Sequence, residues 1–376
     1  MKKLKVTVAI SLLLISFFTA CSNEDCLTST PDSTNSSRGV YTNGMNAVSS
    51  GYFAVGLGSY QNYAYTYSYI SQDGINWTNP VRLPVRGSGY YIQDIVCDTT
   101  RKTFVAVGGD RILYTSDGIS WRVVLDKKNS SYKFLSVSYN KYLNLFCATS
   151  TYNGNRSYIF VSSDGINWVQ TKEYKKAYNQ FYVTSLGSLK KFIIEGSQPM
   201  WSSDGYVWNS LKASFDTPFI DDSRTLKVVT YNEDSKEVLA LADCAHLKIL
   251  RSTDGINFST VYENTNLLQK TSQLTWNRKL KKWLALVEDG AYVGPSRYVF
   301  YVLTSNNGVN WLLEKHTETG TDPFTIKPRL RNNTYGAGLY CNYSAASTTY
   351  YSSTNGLSWS VVTAKLPYAV ASTDDF

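Results

Sequence analysis

The chain has 376 residues, of which 43% are hydrophobic and 14% aromatic, and it carries 37 basic against 29 acidic side chains. A chain of this length and composition can bury a large hydrophobic core, and a single large domain can include nearly all of its residues. No run of lysine or arginine occurs that could track a phosphate backbone, which argues against a protein that binds nucleic acid. Tyrosine is abundant, with 30 residues, and suits both β-strands and contact surfaces.

The first 20 residues have the pattern of a bacterial signal peptide. Lys2, Lys3 and Lys5 precede an apolar stretch, residues 6–19, that is short for a membrane span. The small residues before Cys21 resemble a lipobox, in which the cysteine is lipidated; an ordinary signal peptide is the alternative. Residues 21–38 are polar and predict a flexible tether. The mature protein would then be lipid-anchored in the bacterial envelope, periplasmic or at the cell surface, without spanning the membrane.

Seven short segments of the remaining chain are nearly identical, and we call them boxes 1 to 7. Each has the form Ser/Thr-x-Asp/Asn-Gly-x-x-aromatic, and successive boxes lie 40 to 53 residues apart. An Asp-Gly or Asn-Gly pair between apolar runs is the strongest short-range signal of a tight turn, because both residues tolerate positive φ. The boxes are SQDGINW (71–77), TSDGISW (115–121), SSDGINW (162–168), SSDGYVW (202–208), STDGINF (252–258), SNNGVNW (305–311) and STNGLSW (353–359).

Strand-like runs surround each box. A run such as RILYT (111–115) or SYIFV (157–161) precedes the box directly, and runs such as TFVAVG (103–108) and KWLALV (282–287) lie further upstream. We find no convincing helix in the mature region. Four short strands in each repeat of about 40–50 residues predict an all-β fold, a seven-bladed β-propeller of four-stranded antiparallel blades. It would occupy residues 39–376, with one box hairpin in each blade.

The boxes resemble Asp-box repeats, also called bacterial neuraminidase repeats, which occur in sialidases, sortilin-type receptors and bacterial surface propellers. The resemblance covers the chain from about residue 45 onwards, although the commoner box has one more residue between the Asp and the aromatic. It implies the propeller fold and leaves the activity open. Sialidases also carry an arginine triad, a Tyr–Glu pair and an Arg-Ile-Pro string ahead of their first box. The nearest string here, Arg82-Leu83-Pro84, follows box 1 instead.

We interpret the boxes as structural elements. Asn replaces Asp in boxes 6 and 7, which preserves the turn but removes the charge that acid catalysis or calcium binding would need. Seven equivalent residues around a ring also cannot converge on one substrate. The predicted structural residues are Asp73, Trp77, Asp117, Trp121, Asp164, Trp168, Asp204, Trp208, Asp254, Phe258, Asn307, Trp311, Asn355 and Trp359.

Sequence signatures of the common enzyme classes are absent. The two histidines, His246 and His316, accompany no nucleophile motif, and no metal-ligand spacing or phosphate-binding glycine loop occurs. We therefore expect no cofactor and no metal, and a monomer. Four cysteines, Cys97, Cys147, Cys244 and Cys341, lie in or beside apolar strands. We expect buried thiols there, with an inter-blade disulfide as the alternative.

Candidate site residues lie in loops on the face opposite the boxes. If a box joins the third and fourth strands, that face consists of the loops between strands two and three and between blades. Its carboxylates, which a glycoside hydrolase would need as a pair, are Glu195, Asp221, Asp222, Glu288 and Asp289. Side chains in such loops that suit a glycan or peptide are Tyr60, Tyr63, Tyr90, Tyr152, Arg156, Arg297 and Tyr343. For each of them, an ordinary solvated loop side chain is the alternative.

The resulting hypothesis is a membrane-anchored propeller that recognises a glycan or a protein without catalysis. The alternatives are a glycoside hydrolase, sialidase-like or other, and a scaffold for envelope assembly. An axial pocket with two facing carboxylates would favour the hydrolase, whereas a flat tyrosine-rich face without them would favour binding. The fold cannot decide between these functions.

Overall fold

The structure is a computed structural model, and its description is confined to part of the chain. The described residues are 54–59, 66–71, 81–84, 92–129, 131–175, 181–196, 198–211, 225–243, 246–268, 272–288, 297–319, 329–333, 336–344, 347–353, 355, 360–362 and 369–372. The predicted signal peptide (1–20) and tether (21–38) lie outside these residues, and so does Cys21. Within the described ranges, no helix is long and apolar enough to cross a bilayer.

The described strands form seven four-stranded sheets, numbered here in chain order. Sheet 1 contains β1 (Ala54–Ser59), β2 (Thr66–Ser71), β3 (Val81–Arg82) and β28 (Ala369–Ser372). Sheet 2 contains β4 (Ile92–Asp98), β5 (Thr103–Gly108), β6 (Arg111–Thr115) and β7 (Arg122–Asp126). Sheet 3 contains β8 (Tyr132–Asn140), β9 (Leu145–Tyr152), β10 (Arg156–Ser162) and β11 (Val169–Tyr174). Sheet 4 contains β12 (Val183–Ser185), β13 (Phe192–Ile194), β14 (Met200–Ser202) and β15 (Asn209–Ser210).

The remaining three sheets follow the same order. Sheet 5 contains β16 (Thr225–Asn232), β17 (Glu237–Asp243), β18 (His246–Ser252) and β19 (Ser259–Leu268). Sheet 6 contains β20 (Ser272–Asn277), β21 (Lys282–Glu288), β22 (Arg297–Ser305) and β23 (Leu312–Thr319). Sheet 7 contains β24 (Arg329–Asn333), β25 (Gly336–Ser344), β26 (Ser347–Ser353) and β27 (Ser360–Val362).

Sheet 1 combines strands from both ends of the described chain. β28 pairs antiparallel with β1, and Ala54 lies opposite Ser372. In sheets 2 to 7 the strands pair antiparallel in sequence order, so that each box connects the third strand to the fourth. The turns between strands one and two therefore share the box edge, and the turns between strands two and three lie at the opposite edge.

The core consists of apolar layers between successive sheets. Val105 and Val107 of sheet 2 pack with Phe134 and Phe146 of sheet 3, and comparable layers lie between sheets 3 and 4, 4 and 5, and 5 and 6. An inner strand such as β5 is covered on both faces, and all six of its residues are buried. This burial explains why such strands are continuous apolar runs instead of alternating ones.

The predictions of an all-β fold and of four-stranded antiparallel sheets are confirmed. The only helical element among the described residues is a single 3₁₀ turn, Gly187–Leu189. Cys97 and Cys147 are both buried, as expected for small apolar residues, and burial raises the pKa of the Cys147 thiol.

Candidate functional site

Boxes 2 to 6 have a common hydrogen-bonding pattern, which box 3 shows in full. Ser162 Oγ accepts the N–H of Gly165 at 2.9 Å and donates to Asp164 Oδ1 at 2.9 Å. Asp164 Oδ1 also accepts the N–H groups of the residues two and three positions later, both at 2.8 Å. The Trp168 indole N–H donates to the Gly165 carbonyl at 3.0 Å. The side chains of the box therefore form hydrogen bonds with the backbone of the same box, as is typical of a turn motif.

This pattern does not depend on the charge of the box acid. Burial raises the pKa of Asp164, but hydrogen bonds from the backbone of Asn167 and Ile166 outweigh it and lower that pKa to about 2. In box 6, Asn307 Oδ1 accepts the equivalent two N–H groups at 3.0 and 2.9 Å. A neutral amide thus holds the same turn as an ionised carboxylate, in keeping with the structural interpretation.

Glu195 lies at the edge opposite the boxes, directly after β13. Its side chain is almost completely buried, with 7% exposure. Glu195 Oε1 accepts the Thr184 hydroxyl at 2.7 Å and the Val229 N–H at 3.1 Å. Thr184 belongs to β12 and Val229 to β16, so the carboxyl group bonds to two neighbouring sheets. The backbone adds a further link, because the Gly196 N–H donates to the Leu226 carbonyl at 2.8 Å.

A second acid, Asp94 on β4, belongs to the same series of contacts. Asp94 Oδ2 accepts the Ser136 hydroxyl at 2.9 Å and the Val137 N–H at 3.0 Å, both from β8. The Ser136 hydroxyl also lies 3.4 Å from the backbone N and O of Val183 on β12. Thr184, the next residue, donates to Glu195. Asp94 and Glu195 therefore stand at the two ends of one series of contacts across the first strands of sheets 2 to 4.

The two carboxyl groups differ in their electrostatic state. Burial raises the pKa of Glu195 from its ordinary 4.5 to about 8, against the hydrogen bonds from Thr184 and Val229, and the charge of Asp94 raises it further. Glu195 is therefore mainly protonated at neutral pH. The described part of the chain contains no group of three or more His, Cys, Asp or Glu that could hold a metal ion. The site therefore combines two carboxyl groups, of which Glu195 holds its proton at neutral pH.

Tyr182 lies just before β12, beside this pair, and 41% of it is exposed. Partial burial raises the pKa of its phenol, and the charges of Glu195 and Asp94 raise it further. An aromatic residue that is open to solvent therefore lies next to Glu195, whose backbone N–H donates to the Tyr182 carbonyl at 2.8 Å.

Tyr152 and Arg156 lie on either side of the turn that joins β9 to β10, at the same edge of the strands. The Tyr152 ring centroid is 4.9 Å from that of Tyr132, which is 5.4 Å from that of Tyr158. Arg156 pairs with Glu173, with 3.1 Å between the two side chains. Tyr152 thus belongs to a cluster of tyrosines, and Arg156 already has an acidic partner.

The structure gives backbone positions for three further predicted residues. Glu288 ends β21 and Arg297 begins β22, so both border the loop between these strands. Tyr343 lies in β25, where the register with β26 shifts between Asn342 and Ser344. The predicted site residues that lie outside the described residues are Asp221, Asp222, Asp289, Tyr60, Tyr63 and Tyr90, together with Asp73, Trp77 and Trp359 of the boxes.

Sequence reasoning missed Asp94, Ser136 and Tyr182. The predicted candidates are loop residues, whereas Asp94 and Ser136 lie inside first strands and Tyr182 directly precedes one. One local signal was available, because Asp94 lies inside a strand, IQDIVCD, whose alternate positions Ile92 and Val96 are apolar. An acid in such a position needs hydrogen-bond partners from another part of the chain.

Comparisons with known proteins identify the fold. No protein-family profile and no curated protein sequence matches the chain. An ancestral GH74 enzyme has a TM-score of 0.52 and 13% identity over 81% of this chain. Prolyl oligopeptidase B from Galerina marginata has a TM-score of 0.50 and 10% identity over 80% of this chain. A protein described as a 6-phosphogluconolactonase, from Bacteroides fragilis, has a TM-score of 0.56 and 9% identity over 88% of this chain.

The three proteins differ in how much of them this chain covers. The chain spans 45% of the GH74 enzyme and 44% of the oligopeptidase, but all of the lactonase-like protein. At 9–13% identity, the likeness shows the fold alone. With its four-stranded antiparallel sheets packed one against the next, the chain has a β-propeller-like fold.

Proposed function

We propose that this chain is a glycoside hydrolase built on a closed seven-bladed propeller of the Asp-box superfamily, with its reaction at the edge opposite the boxes. One observation carries the proposal. Glu195, which is buried and protonated, and Asp94 lie at the two ends of one series of hydrogen bonds across the first strands of sheets 2 to 4. Glycoside hydrolysis needs such a pair, in which one carboxyl group donates a proton and the other is ionised. The solved structures with a similar fold are described as enzymes, so the fold is compatible with catalysis.

The two acids would share the reaction as follows. Glu195 donates its proton to the glycosidic oxygen while the bond between that oxygen and the anomeric carbon breaks. A water molecule adds to the anomeric carbon, and Asp94 accepts the proton that this water loses. Glu195 regains a proton from solvent and Asp94 releases one, which restores the starting state. The hydrogen bonds to Oε1 from Thr184 and Val229 fix the orientation of the Glu195 carboxyl group.

The function is tested with Glu195→Gln. The amide keeps an oxygen acceptor for Thr184 and Val229 but has no acidic proton, so the rate should fall by about 10²–10⁴-fold. The assay is the release of reducing ends from xyloglucan, pectin, hyaluronan and peptidoglycan. The matched control is Glu173→Gln. Glu173 lies on the outer strand β11, is 37% exposed and pairs with Arg156. Full activity of Glu195→Gln, or no cleavage of any substrate by the wild type, would contradict the proposal.

Recognition of a glycan without cleavage is the second candidate. It is favoured by the partly exposed pair Tyr132 and Tyr152, because tyrosine rings can pack against sugars and their hydroxyls can bond to them. In that case a glycan would bind equally well to the wild type and to Glu195→Gln, and neither protein would shorten it.

We also propose that a lipid on Cys21 anchors the protein in the bacterial envelope. The support is the sequence pattern of residues 1–21. In the host bacterium, the wild type should sediment with membranes, and Cys21→Ser should be found in the soluble fraction, because loss of the acyl chains removes the anchor. Fractionation followed by immunoblotting measures this, and membrane association of Cys21→Ser equal to that of the wild type would refute the anchor.

A further inference from the structure

A cleft of about 740 Å³ lies between sheets 5 and 6, at the box edge of the strands. One wall is the turn from Asn232 to Glu237, the other is the turn that carries Arg278 and Lys281, and Asn306 of box 6 lies beside them. The volume falls within the range of small-molecule sites. The cleft and the candidate site lie at different points along β16. Asn232, which lines the cleft, ends this strand at the box edge, whereas Val229, which donates to Glu195, lies earlier in the strand.

Two tryptophans form the apolar part of the cleft. Trp283 is 1% exposed, and Trp276 is half-buried and lines the cleft beside it. Their ring centroids are 5.2 Å apart in an edge-to-face arrangement. The packing of Trp276 against Trp283 holds one indole rigidly while leaving part of it accessible. Such a surface suits the apolar C–H face of a sugar ring.

Among the charged side chains that line the cleft, one cation has no ion-pair partner in the described part of the chain. Asp234 pairs with Arg278 across the cleft at 2.8 Å, and Glu237 pairs with Arg251. Lys281 is exposed and has no ion-pair partner among the residues that the structure describes. Because both acids are paired with arginines, Lys281 is left to attract an anion. Asn306 is exposed as well, and its amide can both donate hydrogen bonds to hydroxyls and accept them.

We propose that this cleft binds an acidic saccharide without cleaving it. The sugar ring packs on Trp276, its carboxylate lies near Lys281 and Arg278, and its hydroxyls bond to Asn306. A neutral glycan would offer the same ring face but no partner for Lys281. The cleft is thus a second carbohydrate site, and it does not depend on the reaction proposed at Glu195.

The test is calorimetric titration with oligogalacturonate and hyaluronan oligosaccharides, with a neutral galacto-oligosaccharide as the reference. At least one acidic ligand should bind, more tightly than the neutral one and more weakly as salt is added. Lys281→Gln should weaken that binding about tenfold, and Trp276→Phe should weaken it as well. Lys102→Gln is the matched control. Lys102 occupies the same turn position in sheet 2, is exposed, and has φ 55° against 51° for Lys281.

The outcomes separate this cleft from the candidate active site. Glu195→Gln should bind the acidic saccharide as the wild type does, whether or not the chain proves to be a hydrolase. If neither acidic ligand binds, if the neutral one binds equally well, or if Lys281→Gln binds like Lys102→Gln, the proposal is wrong. Loss of binding in Glu195→Gln would also overturn it, because the ligand would then lie at the other edge. If Trp276→Phe fails to fold, the comparison of Lys281→Gln with Lys102→Gln still shows whether the acidic saccharide binds in this cleft.

Discussion

Replacing Gly165 of box 3 with alanine should lower the free energy of unfolding by about 3 kcal/mol. Gly165 has φ +75°, a left-handed conformation that costs an L-residue about 1–2 kcal/mol. The added Cβ would also lie 2.9 Å from Val105 Cγ2 and 3.3 Å from Phe146 Cε2. Both neighbours are completely buried, and the β-branched Val105 has little freedom to rotate away. Urea denaturation of the purified protein measures the effect.

Gly154→Ala provides the matched control in the same sheet. Gly154 has φ +64°, but a Cβ there would meet no atom within 4 Å. Only the conformational cost remains, so the expected loss is about 1 kcal/mol. The difference between the two variants measures how tightly box 3 packs on sheet 2. Equal losses would mean that the box is only a local turn and does not join neighbouring sheets.

Stability should fall as the pH rises from 5 to 8, because Glu195 must lose a buried proton. Its pKa is about 8 in the folded chain against an ordinary value of 4.5, so the folded state binds one more proton between these values. The stabilisation from this group is complete below pH 4.5 and is lost as the pH rises toward 8. Linkage sets the slope at up to about 1.4 kcal/mol for each pH unit. Urea midpoints at pH 5, 6, 7 and 8 measure it.

Glu195→Gln is the reference for this pH series, since the amide does not titrate and the slope should become much flatter. Asp164 and Asp254 do not interfere, because their pKa values of about 2 confine their contribution to more acidic solution. They stabilise the fold above their ordinary pKa of 3.8, and this stabilisation is lost as the pH falls toward 2. An equal slope in the wild type and in Glu195→Gln would show that Glu195 is not protonated in the folded state.

Glu195 illustrates how far the sequence predicts the candidate site. The box positions indicate which edge of the strands bears the other loops, and on that ground the sequence predicts Glu195 as a candidate. The sequence does not predict its partner Asp94, because a carboxylate in a strand is normally a solvated or paired side chain. Ser136, which bonds Asp94, lies 42 positions away in the chain, and no local pattern links the two.

The strands, the turns and their repetition follow from the amino-acid sequence. In box 3, every hydrogen bond of the turn joins residues between Ser162 and Trp168, so these few residues are enough to specify it. Which side chains from different sheets meet depends on how the sheets pack. The series from Asp94 to Glu195, and the cleft between Trp276 and Asp234, exist because sheets pack face to face, and that packing brings together residues that are tens of positions apart.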